Sequence, residues 1–300
     1  MLYDVIIIGS GVAGLTAAFR CGRSKRNTLL FTGNLKGGIL LKTDIIENFP
    51  SYPEGIKGNE LMEKMITQAI KYDVKIIEAM VEKVNFENII KKVWADGIMY
   101  ESKSIIICTG SSHCKLNVIG EEKYDYNGVF YCYVCDGALY EDQHVVVVGG
   151  GDSALCGAEY LSKYCNKITL IHRRDIFRGS KIMIDRVMNN NKICILYNTI
   201  VKEIKGDGTN VTSLILSKDN NDFEIECDGI CPCIGSYPNT EIFKNHVKMD
   251  ECGYIDKETG VFGVFTAGDC SDPKYKQADI AAGEGSKASI DVEDFLLKMT

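Results

Sequence analysis

The sequence predicts an α/β fold of two related units, the second inserted in the first, and three observations carry that prediction. An aliphatic run, Asp4-Val5-Ile6-Ile7-Ile8, leads directly into Gly9-Ser10-Gly11-Val12-Ala13-Gly14. A second run, His144-Val145-Val146-Val147-Val148, leads into Gly149-Gly150-Gly151-Asp152-Ser153-Ala154. Near the C-terminus a third apolar strand ends in Gly263-Val264-Phe265-Thr266-Ala267-Gly268-Asp269, and the glycine- and alanine-rich helix behind it is too short to be a domain, so it returns to the first unit. A length of 300 residues agrees with two domains at roughly 150 residues each.

In chain order, the continuous apolar run before Gly9 is the pattern of a strand buried on both faces of a parallel sheet. The small residues Leu15 to Gly22 then form a helix. Its N-terminus would turn unpaired N–H groups and a positive dipole end toward a pyrophosphate, which makes the first G-x-G-x-x-G a dinucleotide-binding fingerprint in its proper context. Asn59 to Tyr72 reads as a helix capped by Asn59, with Glu60 and Glu63 in the first turn and Leu61, Met65 and Ala69 on one stripe. A hairpin from Ile89 to Glu101, turning near Asp96-Gly97, precedes a terminal strand from Ile105 to Gly110. After the second glycine loop the same series repeats: a helix through Tyr164, a strand from Lys167 to Ile171, a hairpin from Val211 to Cys227 turning near Asp219-Asn220, and a strand from Gly229 to Gly235. The chain is a divergent duplication of one Rossmann-like, three-layer ββα unit. Residues 1–113 and 241–300 form the first domain and 114–240 the second.

Composition narrows the function. With 34 basic and 41 acidic residues the net charge is −7, which disfavours nucleic acid or an anionic membrane as the main partner. No apolar run reaches the ~18 to 20 residues of a membrane helix, and a strand begins at once after Met1, so the expected location is the cytoplasm. Thirteen cysteines are an odd number scattered over a long chain, a poor disulfide framework. His113, His144, His172 and His246 include no pair at ligand spacing, so no metal site is expected.

Cys132-Tyr133-Val134-Cys135-Asp136 is the sharpest local feature. Two thiols separated by two residues close a small disulfide ring, and the residues between them tune its potential. Half of a zinc ribbon is the alternative, but Cys231-Pro232-Cys233 has the wrong spacing to complete one. Asp136 is a natural proton donor where histidine is scarce. His172-Arg173-Arg174-Asp175-Ile176-Phe177-Arg178 follows the strand behind the second glycine loop, where arginines accept the 2′-phosphate that distinguishes NADP from NAD.

These motifs, with Gly37-Gly38-Ile39-Leu40, Glu47-Asn48-Phe49-Pro50, Cys108-Thr109-Gly110, the segment from Ile234 to Thr240, Thr266 to Asp269 and Lys276-Gln277-Ala278, resemble over the whole chain and in the same order the low-molecular-weight, bacterial-type thioredoxin reductases. The resemblance implies FAD in the first domain. Gly9, Ser10, Gly11, Ala13 and Gly14 would hold its pyrophosphate, and Thr32 and Gly33 the adenosine ribose. Val81 would meet the adenine. Gly38, Ile39, Leu40, Thr43 and Asn48 would approach the flavin ring. Thr109, Gly110, Gly268, Asp269, Lys276, Gln277 and Ala278 would complete the site. In the second domain Gly151, Asp152, Ser153, Ala154, His172, Arg173, Arg174, Arg178, Ile234 and Gly235 would bind NADPH. By similarity Cys135 faces the flavin, Cys132 attacks the disulfide of a thioredoxin or thioredoxin-like partner, Asp136 supplies the proton, and the protein is a homodimer. Ile39, Lys276, Tyr133-Val134 and Cys156-Gly157 depart from the family pattern. The last of these leaves room for a ferredoxin-dependent relative of the same fold, and a non-catalytic nucleotide-binding redox sensor is the third possibility.

Overall fold

The structure is a computed structural model that describes residues 1–43 and 45–299. The chain forms two compact units, Met1–Ser112 with Tyr237–Thr300, and His113–Ser236.

In the first unit a parallel sheet runs in the order Lys75–Ile77, Thr28–Phe31, Leu2–Ile8, Ile98–Ile107, Val264–Thr266. Alternate side chains of a strand leave opposite faces, and here both faces are covered. Val5, Ile7, Leu30 and Ile106 pack toward the helices Val12–Arg23 and Ala278–Lys298. Ile6, Ile8, Leu29, Phe31, Ile105 and Ile107 pack toward Val84, Val93 and Phe243 on the other side. That second layer is an antiparallel meander of Val81–Asn85, Lys91–Ala95 and the start of Ile98–Ile107. Residues 5–7 are completely buried, each worth about 1.5 to 3 kcal/mol of apolar burial.

The second unit repeats the plan. Its parallel sheet runs Ile193–Leu196, Lys167–Ile171, His144–Val148, Gly229–Pro232, and its meander is Thr199–Gly206, Val211–Lys218, Asn221–Glu226. Val145 and Val147 face the helix Asp152–Leu161, while Val146 and Val148 face the meander. No helix among the described residues is long and apolar enough to cross a membrane.

Two local expectations are corrected. The segment 98–107 is one strand, not the second arm of a hairpin followed by a separate strand. Its polar centre is accommodated because Ser102 and Ser104 are buried with their hydroxyls bonded to backbone carbonyls, Ser104 Oγ donating to Asp4 O at 2.7 Å. The helix expected from Asn59 begins at Gly58, and Asn59 Oδ1 accepts from the adjacent Glu60 N–H instead of capping. Gly58 holds that place because a Cβ there would stand 1.9 Å from Leu40 O. Leu61, Met65 and Ala69 do form its buried stripe.

Two close approaches fix the C-terminal segment on the first glycine loop. A Cβ at Gly285 of the last helix would stand 2.1 Å from Ala13 O, and one at Gly268 would stand 2.9 Å from Ala13 Cβ. Gly268 N–H donates to Glu284 Oε2 at 2.6 Å, and Glu284 is held by Lys257 Nζ at 2.6 Å. Arg26 Nε donates to Glu293 Oε2 at 2.9 Å and pins the far end of the same helix.

Candidate functional site

A cleft of about 1130 Å³ opens over the first glycine loop, entirely within the first unit. Gly9 sets the loop's path: its φ is +110° and a Cβ would stand 2.2 Å from Cys108 O, so only glycine brings the strand end this close to its neighbour. Gly14 lies beneath, with room for no Cβ beside Gly9 O. Gly11 is different. Its backbone is extended, and nothing lies within 4 Å of the Cβ position. It stands at the start of the helix Val12–Arg23, which has no side-chain cap and no acidic residue in its first turn. Gly33 and Gly110 also line the cleft with open space where a side chain would be. The floor is therefore backbone and N–H groups, a surface cut for an anionic, elongated ligand.

The remaining walls come from distant parts of the unit. Thr32, Gly38, Ile39, Leu40, Val81, Thr109, Asp269, Lys276, Gln277 and Ala278 all line the cleft. Ser10 lines it too, but its hydroxyl is spent on the fold, donating to Thr32 O at 3.2 Å and accepting from Gly37 N–H at 2.9 Å. Thr43 and Asn48 stand outside the wall. Thr43 offers its carbonyl to Gly58 N–H, while Asn48 Nδ2 donates to Gln277 Oε1 at 2.9 Å and so braces a residue that does face the cleft. Burial raises the Asp269 carboxyl to about 6, against the opposing pull of Lys276 and of Ser111, whose hydroxyl lies 3.4 Å away. Lys276 Nζ donates to the Tyr254 hydroxyl at 2.9 Å.

Asn239 is a wall residue that no sequence argument assigned. Its amide N–H donates to Gly110 O at 3.0 Å, its Nδ2 to Thr109 O at 3.1 Å, and its Oδ1 accepts from Ser112 Oγ at 2.9 Å. The available signal was Pro238-Asn239, a turn pair inside a motif already singled out. Met80 and Glu82, beside Val81, were missed as well.

The second unit brings its expected residues together differently. Gly149, at φ +153°, packs on Cys233 O, and Gly151 is open like Gly11. The turn after Ile171 folds back over this loop: Arg178 N–H donates to Gly150 O at 2.7 Å, and Asp152 Oδ1 accepts from Ser180 N–H at 2.7 Å. That bond holds the Asp152 carboxyl below its ordinary range. Arg173, Arg174 and Arg178 are exposed and make no ion pair among the described residues. His172 does not join them. Its ring fills the space a Gly150 Cβ would need, stacks on Phe177 at 5.4 Å between centroids, and bonds Ile176 O through Nε2 at 3.0 Å. It is a support under the loop, because the ring follows a strand whose last residue is fully buried. Ile234 is exposed and Gly235 turns at φ +113°.

Cys132 and Cys135 form a disulfide in the second unit, with Cα atoms 5.2 Å apart. Cys132 caps a single helical turn, Tyr133–Asp136, and its Sγ accepts from Cys135 N–H at 3.2 Å. Both sulfurs' residues are half-buried and Val134 between them is exposed. Burial lifts the neighbouring Asp136 carboxyl to about 6. The pair thus has one donor-stabilised sulfur, that of Cys132, and an adjacent acid that stays protonated further toward neutrality than an ordinary carboxylate.

Comparison with known proteins agrees with this chemistry. The family model described as pyridine nucleotide-disulphide oxidoreductase matches residues 3–285. A thioredoxin reductase of Mycolicibacterium smegmatis is 40% identical over 304 residues, covering 98% of this chain and 97% of the relative. Thioredoxin reductase 1 of Saccharomyces cerevisiae is 39% identical, covering 98% of each. Among solved structures, thioredoxin reductase from Streptococcus pyogenes superposes with a TM-score of 0.93 at 36% identity, and that from Giardia duodenalis with 0.91 at 37%, each covering 99% of both chains.

Proposed function

Since the chain belongs to the pyridine nucleotide-disulphide oxidoreductases and, within them, to the thioredoxin reductases, we propose that it carries electron pairs from NADPH by way of a bound FAD to Cys132–Cys135 and on to the disulfide of a thioredoxin. The observation that carries the proposal is the placement of this disulfide in the same unit as a glycine loop bordered by three unpaired arginines. The first cleft suits FAD because Gly11, Gly33 and Gly110 leave its floor open along an elongated path. The second loop suits NADPH because Gly151 is open and the arginines are free to take a 2′-phosphate. FAD supplies a two-electron carrier between a nicotinamide and a dithiol.

The chain's own residues account for the disulfide exchange. Once the pair is reduced, Cys135 N–H favours the Cys132 thiolate, which attacks one sulfur of the partner disulfide and expels the other as a thiolate. Cys135 then attacks the Cys132 sulfur of the mixed disulfide. The Cys132–Cys135 bond re-forms, the partner leaves as a dithiol, and two electrons have moved. Asp136, protonated below about pH 6, gives its proton to a departing thiolate and recovers one from solvent. Steady-state turnover tests the proposal: NADPH oxidation must depend on oxidised thioredoxin and on FAD.

Two expected results follow from the site. Arg173→Ala with Arg178→Ala removes charge-assisted bonds worth about 1.5 to 3 kcal/mol each, so kcat/KM for NADPH falls on the order of 10²-fold while that for NADH barely changes. Competing kinetics with the two nucleotides check this. Asp136 loses its proton as pH rises through about 6, so the rate of thioredoxin reduction by pre-reduced enzyme declines above that pH. Asp136→Asn slows this step by about 10²-fold or more and flattens that limb of the pH profile, as stopped-flow measurement would read.

A further inference from the structure

Beyond the redox pair, the second unit holds two further thiols in contact, and the mechanism above uses neither. Cys231 Sγ and Cys233 Sγ lie 3.6 Å apart. The reason is the pleat: Cys231 is the penultimate residue of the strand Gly229–Pro232, in register with Val147, Cys233 follows directly on its end, and residues two apart along an extended chain share a face. The backbone is anchored on both sides, with Cys231 paired in the sheet and Cys233 N–H donating to Val148 O at 2.8 Å. The two thiols are consequently held together and do not meet by chance. Their exposures differ. Cys231 is completely buried, whereas Cys233 is only partly so.

Cys233 also touches the redox segment. It lies against Gly157 of the helix Asp152–Leu161, where a Cβ would stand 3.4 Å from Cys233 Sγ and 3.0 Å from the Tyr133 ring. Glycine at 157 therefore lets the Tyr133 ring, from the middle of the Cys132–Cys135 loop, and Cys233 converge on one spot. Cys156, next to it, is partly buried, and burial raises its thiol further.

We propose that Cys231 and Cys233 are a second oxidisable pair, closed to a disulfide by hydrogen peroxide. Cys233, the accessible member, is oxidised first: its sulfur attacks the peroxide O–O bond, giving a sulfenic acid and one water. Cys231 then attacks that sulfur, the S–O bond breaks, a second water leaves with the Cys231 proton, and the S–S bond forms. Two thiols and one peroxide become one disulfide and two waters, a two-electron change. Burial keeps Cys231 in the thiol form, with its pKa well above the ordinary value, so it waits as the resolving thiol and is not itself the first target. The site is distinct from Cys132–Cys135, whose sulfurs are bonded to each other while Cys231 and Cys233 stand as free thiols.

The test uses the full-length protein, reduced, freed of reductant, exposed to a small molar excess of hydrogen peroxide, and then denatured and alkylated with N-ethylmaleimide, so that the buried Cys231 is labelled wherever it is still a thiol. The peptide containing Cys231 and Cys233 is expected to lose both labels, to weigh two hydrogen atoms less than its reduced form, and to regain both labels after dithiothreitol, while Cys156 stays labelled. In Cys231→Ala the Cys233 sulfenic acid accumulates and is trapped by dimedone. In Cys233→Ala, a change at a partly buried position on the edge of the core, Cys231 remains labelled after peroxide. Full labelling of both cysteines after peroxide, a bond from Cys233 to Cys156, or unchanged oxidation of Cys231 in Cys233→Ala would overturn the proposal.

Discussion

Cys132→Ser is expected to abolish thioredoxin reduction while leaving the reduction of the flavin by NADPH intact. The serine hydroxyl is no nucleophile toward a disulfide at neutral pH, so the loss is about 10³-fold or more in kcat/KM. The expected split follows from the geometry of the pair. The hydrogen bond that favours a thiolate is the one from Cys135 N–H to Cys132 Sγ, and no corresponding donor to Cys135 appears among the described hydrogen bonds. Cys135→Ser should therefore give a different defect: Cys132 still attacks, and a covalent mixed disulfide with thioredoxin accumulates because nothing resolves it. Gel mobility under non-reducing conditions separates the two variants. Unimpaired turnover in Cys132→Ser would move the chemistry to another of the cysteines.

Gly11→Val is expected to give a folded protein that purifies colourless. Gly11 has φ −67° and ψ −177°, a conformation open to any residue, and its Cβ position meets no protein atom within 4 Å. The fold thus tolerates the side chain. The ligand does not, because the valine occupies the space left for the dinucleotide. An overpacking cost of about 3 kcal/mol already weakens FAD by about 10²-fold. Gly151→Val, at the matching place in the second unit, where φ is −102° and ψ −178°, is expected to keep the flavin and lose the nicotinamide nucleotide. Absorbance in the blue and equilibrium binding of each nucleotide, with urea unfolding as the check on stability, distinguish these outcomes. A yellow Gly11→Val protein would show that the cleft is not the flavin site.

What could be seen in the sequence was whatever is local and repeated. The glycine loops announce themselves because strand, turn and helix lie within a few residues, and the duplication doubles the signal. The return of the C-terminal segment was legible because a lone strand and helix have no core of their own. Other features depended on tertiary context. The strand Val81–Asn85 gave no signal because Glu82 and Lys83 interrupt its two buried valines. The strand Ile98–Ile107 was broken in two by Glu101-Ser102-Lys103-Ser104, whose serines become acceptable in the core only through bonds to the backbone. His172 lies next to the arginines in sequence, yet strand alternation and Phe177 turn it inward, under Gly150. Asn239 reaches Thr109 across 130 residues of chain, and Gly110 beside it, a contact that no local pattern announces. The meeting of Cys233 with Tyr133 over Gly157 is of the same kind.

The account rests on electrons entering from NADPH and leaving through Cys132–Cys135, and an anaerobic titration watched in the visible spectrum tests both ends together. The prediction is that NADPH bleaches the flavin band within seconds, that bleaching takes more than one equivalent because the disulfide also accepts an electron pair, and that oxidised thioredoxin restores the colour. A flavin that NADPH leaves unbleached, and that reduced ferredoxin bleaches at once, would contradict the account.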